Sequence, residues 1–295
     1  MKLSLDNAIA PIFVIIWSTG FVIARLAMPY VEPATFLFWR FAGVLAAMTA
    51  LSLVWRITWP SRSQIKHIAI AGVLLQFGYL LGVWFAVRLG MTAGLAAIIV
   101  GLQPILTAWF AAWVSEKVTY RQWVGLGFGF AGVALVVAEK ISFAHIPLVS
   151  YVLAFFALLS ITFGTLYQKK YCPVFDLRAG SSIQFGVSAV LCFICMQLFE
   201  TGVMVWNTPV ISALLWAIFP LSIGSISLLF MMIRKGAATK VTSLLYLTPP
   251  TTALMAWILF GEPFTLLMAL GLGLTMTGVV LVNARQPNSV ATIAE

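Results

Sequence analysis

The sequence predicts an all-α membrane protein: ten transmembrane helices arranged as two inverted five-helix repeats. Three observations carry this. Of 295 residues, 62% are hydrophobic and only 8% charged, whereas a soluble domain carries about a quarter charged residues. The apolar residues fall into stretches of roughly 20, the length that crosses about 30 Å of hydrocarbon. The chain also matches itself at a fixed offset of 146 residues.

The first span covers about 8–28. Lys2 precedes it, but the apolar run exceeds a signal-peptide core and lacks a small-x-small exit, so it reads as a span rather than a cleaved leader. The others fall at about 34–55, 67–87, 92–114, 121–138, 147–168, 180–200, 210–233, 240–260 and 264–283. The links are short and leave no room for a soluble domain. The halves divide as 1–140 and 141–295, the second ending in a short polar tail after Arg285.

Basic residues set the orientation, because Lys and Arg accumulate in cytoplasmic loops. With the N-terminus inside, the inner segments hold Lys2, Arg56, Arg62, Lys66, Lys117, Arg121, Lys169, Lys170, Arg178, Arg234, Lys235, Lys240 and Arg285. The outer ends hold Arg25, Arg88 and Lys140. This bias places both termini in the cytoplasm. It also accounts for the net charge of +9 without a nucleic-acid partner.

At the 146-residue offset Arg88 meets Arg234, Gly90 meets Gly236, Pro104 meets Pro250, Glu116 meets Glu262 and Thr119 meets Thr265. Gly125, Leu126 and Gly127 meet Gly271, Leu272 and Gly273, and Gly132 meets Gly278. A weaker match at offset 144 pairs Gly20 with Gly164, Arg25 with Lys169 and Phe41 with Phe185. Each half then holds five spans. Five is odd, so the halves enter the membrane from opposite sides, as in secondary transporters.

These features resemble a known family. The five-plus-five layout, the two E-x-x-T motifs (Glu116 to Thr119, Glu262 to Thr265) and the Gly-rich GLGFGFAGVALV and GLGLTMTGVVLV are similar to the drug/metabolite transporter superfamily, EamA type. So are the opening PIFVIIWSTGFVIARLAMP and the FWRF of the second span. Within it, the chain is most similar to YddG-like bacterial amino-acid exporters. The resemblance implies a multi-pass protein of the bacterial inner membrane that exports amino acids, aromatic or neutral ones included. Export of other drugs or metabolites, and a passive channel, stand as alternatives.

Polar residues within spans mark the expected cavity. Gln76 and Tyr79 lie three apart on one helical face, and their offset partners are Ser222 and Ser225. Gln103, Ser160, Tyr246 and Thr248 add polar groups, and Trp17 an aromatic one. Buried amides and phenols are costly to leave unpaired, so Gln76, Tyr79, Gln103 and Tyr246 read as lining; Ser and Thr can instead bond their own helix. Spans 1, 3, 4, 6, 8 and 9 are expected to line the cavity. Pro104 and Pro250 interrupt helical bonding at equivalent positions and are expected to act as bends. Arg40 lies some 9 Å into its span at 1.5 Å per residue. It either snorkels or pairs with Glu32, or faces the cavity and attracts a carboxylate. Gly125, Gly127, Gly129 and Gly132, with Gly271, Gly273 and Gly278, permit close helix approach, within a monomer or across a homodimer.

Other chemistries lack their residues. No G-x-x-x-x-G-K-[ST] is present, so the chain itself is not expected to hydrolyse ATP. All eight acidic residues fall at span ends, loops or termini, away from the bilayer middle where a proton or sodium relay is usually placed. Cys192 and Cys195 form a C-x-x-C inside an apolar run with neither His67 nor His145 close in sequence, which reads as packing. No metal, cofactor or enzymatic nucleophile–base set is expected.

Overall fold

The computed structural model describes residues 5–55, 57–110, 119–143, 146–172, 175–225, 227–228 and 247–283. These form ten helical segments: α1 (Leu5–Ala27), α2 (Pro33–Val54), α3 (Arg62–Arg88), α4 (Ala93–Trp109), α5 (Tyr120–Phe143), α6 (Leu148–Tyr171), α7 (Leu177–Phe199), α8 (Thr208–Gly224), α9 (Thr248–Phe260) and α10 (Leu266–Asn283). Four of them, α2, α3, α6 and α7, are each long and apolar enough to cross a membrane. Large apolar side chains such as Phe130, Leu198 and Leu259 stud the outer surface, as hydrocarbon solvent allows.

Local chemistry sets the helix starts. α3 begins five residues before the expected span because Ser61 and Gln64 form a capping box. Asp176 caps α7 through the Arg178 backbone N–H at 2.9 Å, moving its start to Leu177. Pro33 takes the first position of α2, where its missing N–H costs nothing.

Three helices are irregular. α3 widens into a π-helix over Val73–Gly78, and α8 does so over Ala217–Gly224. Both widened segments end on glycines 146 residues apart. In α8 the wide turn accommodates Pro220, which cannot donate to the helix, and Ser222 Oγ donates to the Ala217 carbonyl at 2.8 Å. In α3, Ser188 of α7 donates to the Gly72 carbonyl at 3.2 Å. α4 is interrupted: Ala93–Val100 ends at Gly101, and a new helix runs from Gln103 to Trp109.

α5 and α10 pack antiparallel with backbones nearly touching. A side chain on Gly132 would strike the Gly271 carbonyl and Thr275, and one on Gly278 would strike the Gly125 carbonyl and Gly129. The offset of 146 converts the first contact into the second. These glycines are therefore used between helices of one chain, leaving the dimer alternative without their support.

Candidate functional site

At one end of the bundle, side chains tie the links together. Glu200, closing α7, accepts from the backbone N–H groups of Ala34 and Thr35 at 2.7 and 2.8 Å and from the Thr35 hydroxyl at 2.8 Å. Glu32 accepts reciprocally from the N–H and hydroxyl of Thr201, both at 2.7 Å. An antiparallel bridge joins Val31 to Met204. Arg88 donates to the Met28 carbonyl at 2.7 Å, and Ser150 to that of Leu89 at 3.2 Å. Glu262 accepts from the N–H groups of Ala93 and Gly94 at 3.1 and 3.4 Å, capping α4. Most of these bonds use charged groups, the stronger class of hydrogen bond.

Inward from this clasp lies a cavity of about 310 Å³. It runs from Val83 and Trp84 to Phe175, Leu177 and Ser181, toward the end that carries Lys169, Lys170 and Arg178. Aromatic and aliphatic groups form most of the wall. Trp17, Gln76, Tyr79 and Gln103 all face it, as does Arg40. Gln103 Nε2 donates to Thr165 Oγ1 at 3.0 Å. A void of about 30 Å³ adjoins the cavity, sharing Trp17, Tyr79 and Gln103 and adding Thr248 and Pro249. The buried Thr248 hydroxyl has no hydrogen-bond partner among the described residues.

Arg40 does not pair with Glu32, which is taken by Thr201. It is 5% exposed, and its Nε and Nη2 donate to Ser222 Oγ at 3.3 and 3.1 Å. The reading as a snorkelling or Glu32-paired residue is thus corrected: the side chain turns across the bundle to α8 rather than along α2 to its end.

The remaining expected residues divide. Ser160 is buried and packs against Gly78 at the α3–α6 contact, so the structure does not bring it to the cavity. Tyr246 lies outside the described residues. Pro104 is the second residue of the restarted α4 segment, and Pro250 sits in the first turn of α9. Gly101, at the α4 interruption, lies against Pro249; a side chain there would come within 2.6 Å of the ring. The two proline-bearing segments therefore meet.

One wall, α7, was missed outright, and another, α2, stood only as the alternative placement of Arg40. α2 and α7 join the lining through Arg40, Ser181, Gln184 and Phe185. Gln184 Nε2 donates to Gln168 Oε1 at 2.9 Å, linking α7 to α6. The signal was available: Ser181, Gln184 and Ser188 fall on one helical face, and Gln184 is the offset partner of Arg40. α9 contributes to the adjoining void, not to the main cavity, among the described residues.

Near the basic end, Asp176 also receives Arg178 Nη2 at 2.8 Å. Hydrogen bonds and the charge of Arg178 hold its carboxyl below the usual range. No group of three or more His, Cys, Asp or Glu residues able to hold a metal exists among the described residues.

Known proteins share this architecture. The chain is 29% identical over 281 residues to the transporter YvbV of Bacillus subtilis, covering 92% of this chain and 89% of the relative. It is 24% identical over 287 residues to a probable amino-acid metabolite efflux pump of Salmonella typhimurium, covering 94% of each, and 25% identical over 272 residues to the inner membrane transporter YedA of Escherichia coli, covering 91% and 87%. A solved crystal structure at 17% identity matches the fold with a TM-score of 0.68 over 93% of this chain and 94% of the other. The EamA-like transporter family model matches twice, at residues 8–138 and 148–284. With a membrane-type bundle, a mainly apolar cavity set with polar side chains and two family segments spanning nearly its whole length, the chain belongs to the EamA-like transporter family.

Proposed function

We propose that the protein is a secondary transporter exporting small amino acids or related metabolites, aromatic or neutral ones included, across a bacterial inner membrane. The observation that carries this is a cavity of about 310 Å³ with polar side chains set into an aromatic wall, tied shut toward one end by the Glu32 and Glu200 clasp. Such a site holds one small molecule away from water and lipid. The efflux-pump relative supports the amino-acid assignment.

The two halves act as inverted repeats, 1–140 and 141–295, with both termini cytoplasmic. The family segments and the offset glycine contacts support the repeat; the loop charges support the orientation. Alternating access follows from the two halves rocking about the α5–α10 contact, with α4 and α9 bending at the Pro104 and Pro250 segments. The cavity as described is then the state closed toward the outside.

The test is efflux from proteoliposomes loaded with a panel of radiolabelled amino acids, with and without a pH gradient. Saturable efflux with trans-stimulation is expected for at least one amino acid. Gln103→Ala and Tyr79→Ala should each lower kcat/KM about tenfold or more, since each removes a polar wall group. A panel in which nothing moves would overturn the amino-acid assignment.

A further inference from the structure

We infer that, among the amino acids and related metabolites of that reading, the cavity favours the net anion, a monocarboxylate with an apolar or aromatic body, over the zwitterion. Arg40 is the single charged residue on the cavity wall among the described residues. Its guanidinium stays protonated in proteins. None of the described carboxylates lines the cavity: Glu32, Glu200 and Glu262 are engaged in backbone caps, and Asp176 with Arg178. A buried positive charge whose only described partner is a hydroxyl is under-compensated, and charge burial without a counter-charge is costly.

The π-helix of α8 sets what remains of that cation. Ser222 gives its proton to the Ala217 carbonyl, so its lone pairs face Arg40 and accept from Nε and Nη2. This occupies the side of the guanidinium fork and fixes its plane. Nη1 donates to no described residue, so the end of the fork, Nη1 with the second Nη2 hydrogen, is left for a ligand. Two parallel N–H groups match a carboxylate bidentately. Trp17, Phe21, Trp84 and Phe185 supply the surface for an apolar body. An α-ammonium finds no carboxylate on this wall among the described residues.

The charge has a consequence for driving force. Arg40 stays with the carrier, so each complete cycle moves only the charge of the substrate. A negative interior expels an anion, and 100 mV changes its distribution about fiftyfold, the equivalent of about 2.3 kcal/mol per charge. Export then needs no buried acidic coupling site, and no described carboxylate lines the cavity. The charge selectivity stands on the cavity alone; its use for export rests on the transporter reading.

The experiment measures equilibrium binding of radiolabelled 3-phenylpropionate, L-phenylalanine and phenethylamine to the purified full-length chain. These share a ring and differ in charge. The acid should bind about tenfold or more tightly than either amine-bearing probe, and Arg40→Gln should lose most of that affinity while Arg40→Lys keeps part of it. Phenethylamine or L-phenylalanine binding as tightly as the acid would overturn the inference, as would unchanged acid binding by a folded Arg40→Gln protein. If Arg40→Gln does not fold, the comparison of the three probes on the native chain decides. In proteoliposomes, a potassium diffusion potential, negative inside, should accelerate efflux of the acid severalfold. Charge-selective binding without movement of any probe supports the inference and overturns the transporter reading. Efflux of L-phenylalanine indifferent to potential, with acid and amine bound alike, overturns the inference and leaves that reading intact.

Discussion

At Glu262 and Thr265 the E-x-x-T spacing resolves into two separate caps. The carboxylate reaches across to α4, while the Thr265 hydroxyl accepts from the Met268 N–H at 3.1 Å and starts α10. Thr119, its offset partner, forms the same kind of cap with Gln122 at the start of α5. Asp176 makes a further cap whose strength depends on pH. Its pKa is lowered in the folded chain, so its contribution is present above the unfolded value near 4 and is lost as pH falls through the lower folded value. Wild type should exceed Asp176→Ala by about 1 kcal/mol at neutral pH, and thermal melts below about pH 3 should find that difference shrinking. Single residues were unevenly legible. Gln76, Tyr79 and Gln103 stand out because amides and phenols are rare inside apolar spans. Gln168 and Gln184 lie nearer span ends, where polar groups are ordinary, and only the placement of α6 and α7 against α3 reveals that they meet.

At the scale of the element, the spans were legible because an apolar run of about twenty residues is rare outside a bilayer. Their internal breaks were half legible. Pro104 marked the α4 interruption, whereas Pro250, expected as a bend, sits in the first turn of α9, and the two π-helices have no compositional signature. They arise where Gly72 and Gly78 let α7 and α6 press against α3, and where Pro220 removes a donor from α8. Helix packing should be equally sensitive to bulk. Gly132→Val and Gly278→Val each force a side chain into opposing backbone. Each should cost about 1–3 kcal/mol or more by overpacking, whereas Gly127→Ala, where a methyl meets nothing within 4 Å, should be nearly neutral. Thermal unfolding in detergent reads the contrast; equal losses at Gly132 and Gly127 would dismiss the close-packing account.

For the molecule as a whole, one end is held by hydrogen bonds to carboxylates and the cavity extends toward the other. The clasp should set which side reaches the cavity. Glu200→Ala removes three bonds at once and should shift the population toward a state open at that end. With the native cysteines replaced, Gln76→Cys should then react several times faster with an impermeant thiol reagent added from outside, since losing even one such bond is worth about 1–3 kcal/mol. No change in labelling would show that the clasp does not gate access. The expected orientation rests on loop charge alone. The closed end was not legible in the sequence, because it depends on which of two related arrangements of the same contacts the chain adopts.

Arg40 has one more consequence, for the energy stored across the membrane. A carrier with a wet cavity is a hazard to a cell that lives on its proton gradient, since each opening offers protons a path inward. A fixed positive charge beside that path repels hydronium, sodium and potassium alike, as an arginine does in a selective pore. The residue that recruits a carboxylate thus also insulates. Proteoliposomes carrying Arg40→Gln should dissipate an imposed pH difference faster than those carrying the native chain, followed with an interior pH dye and no substrate present. Equal decay would show that the cavity is proton-tight for some other reason.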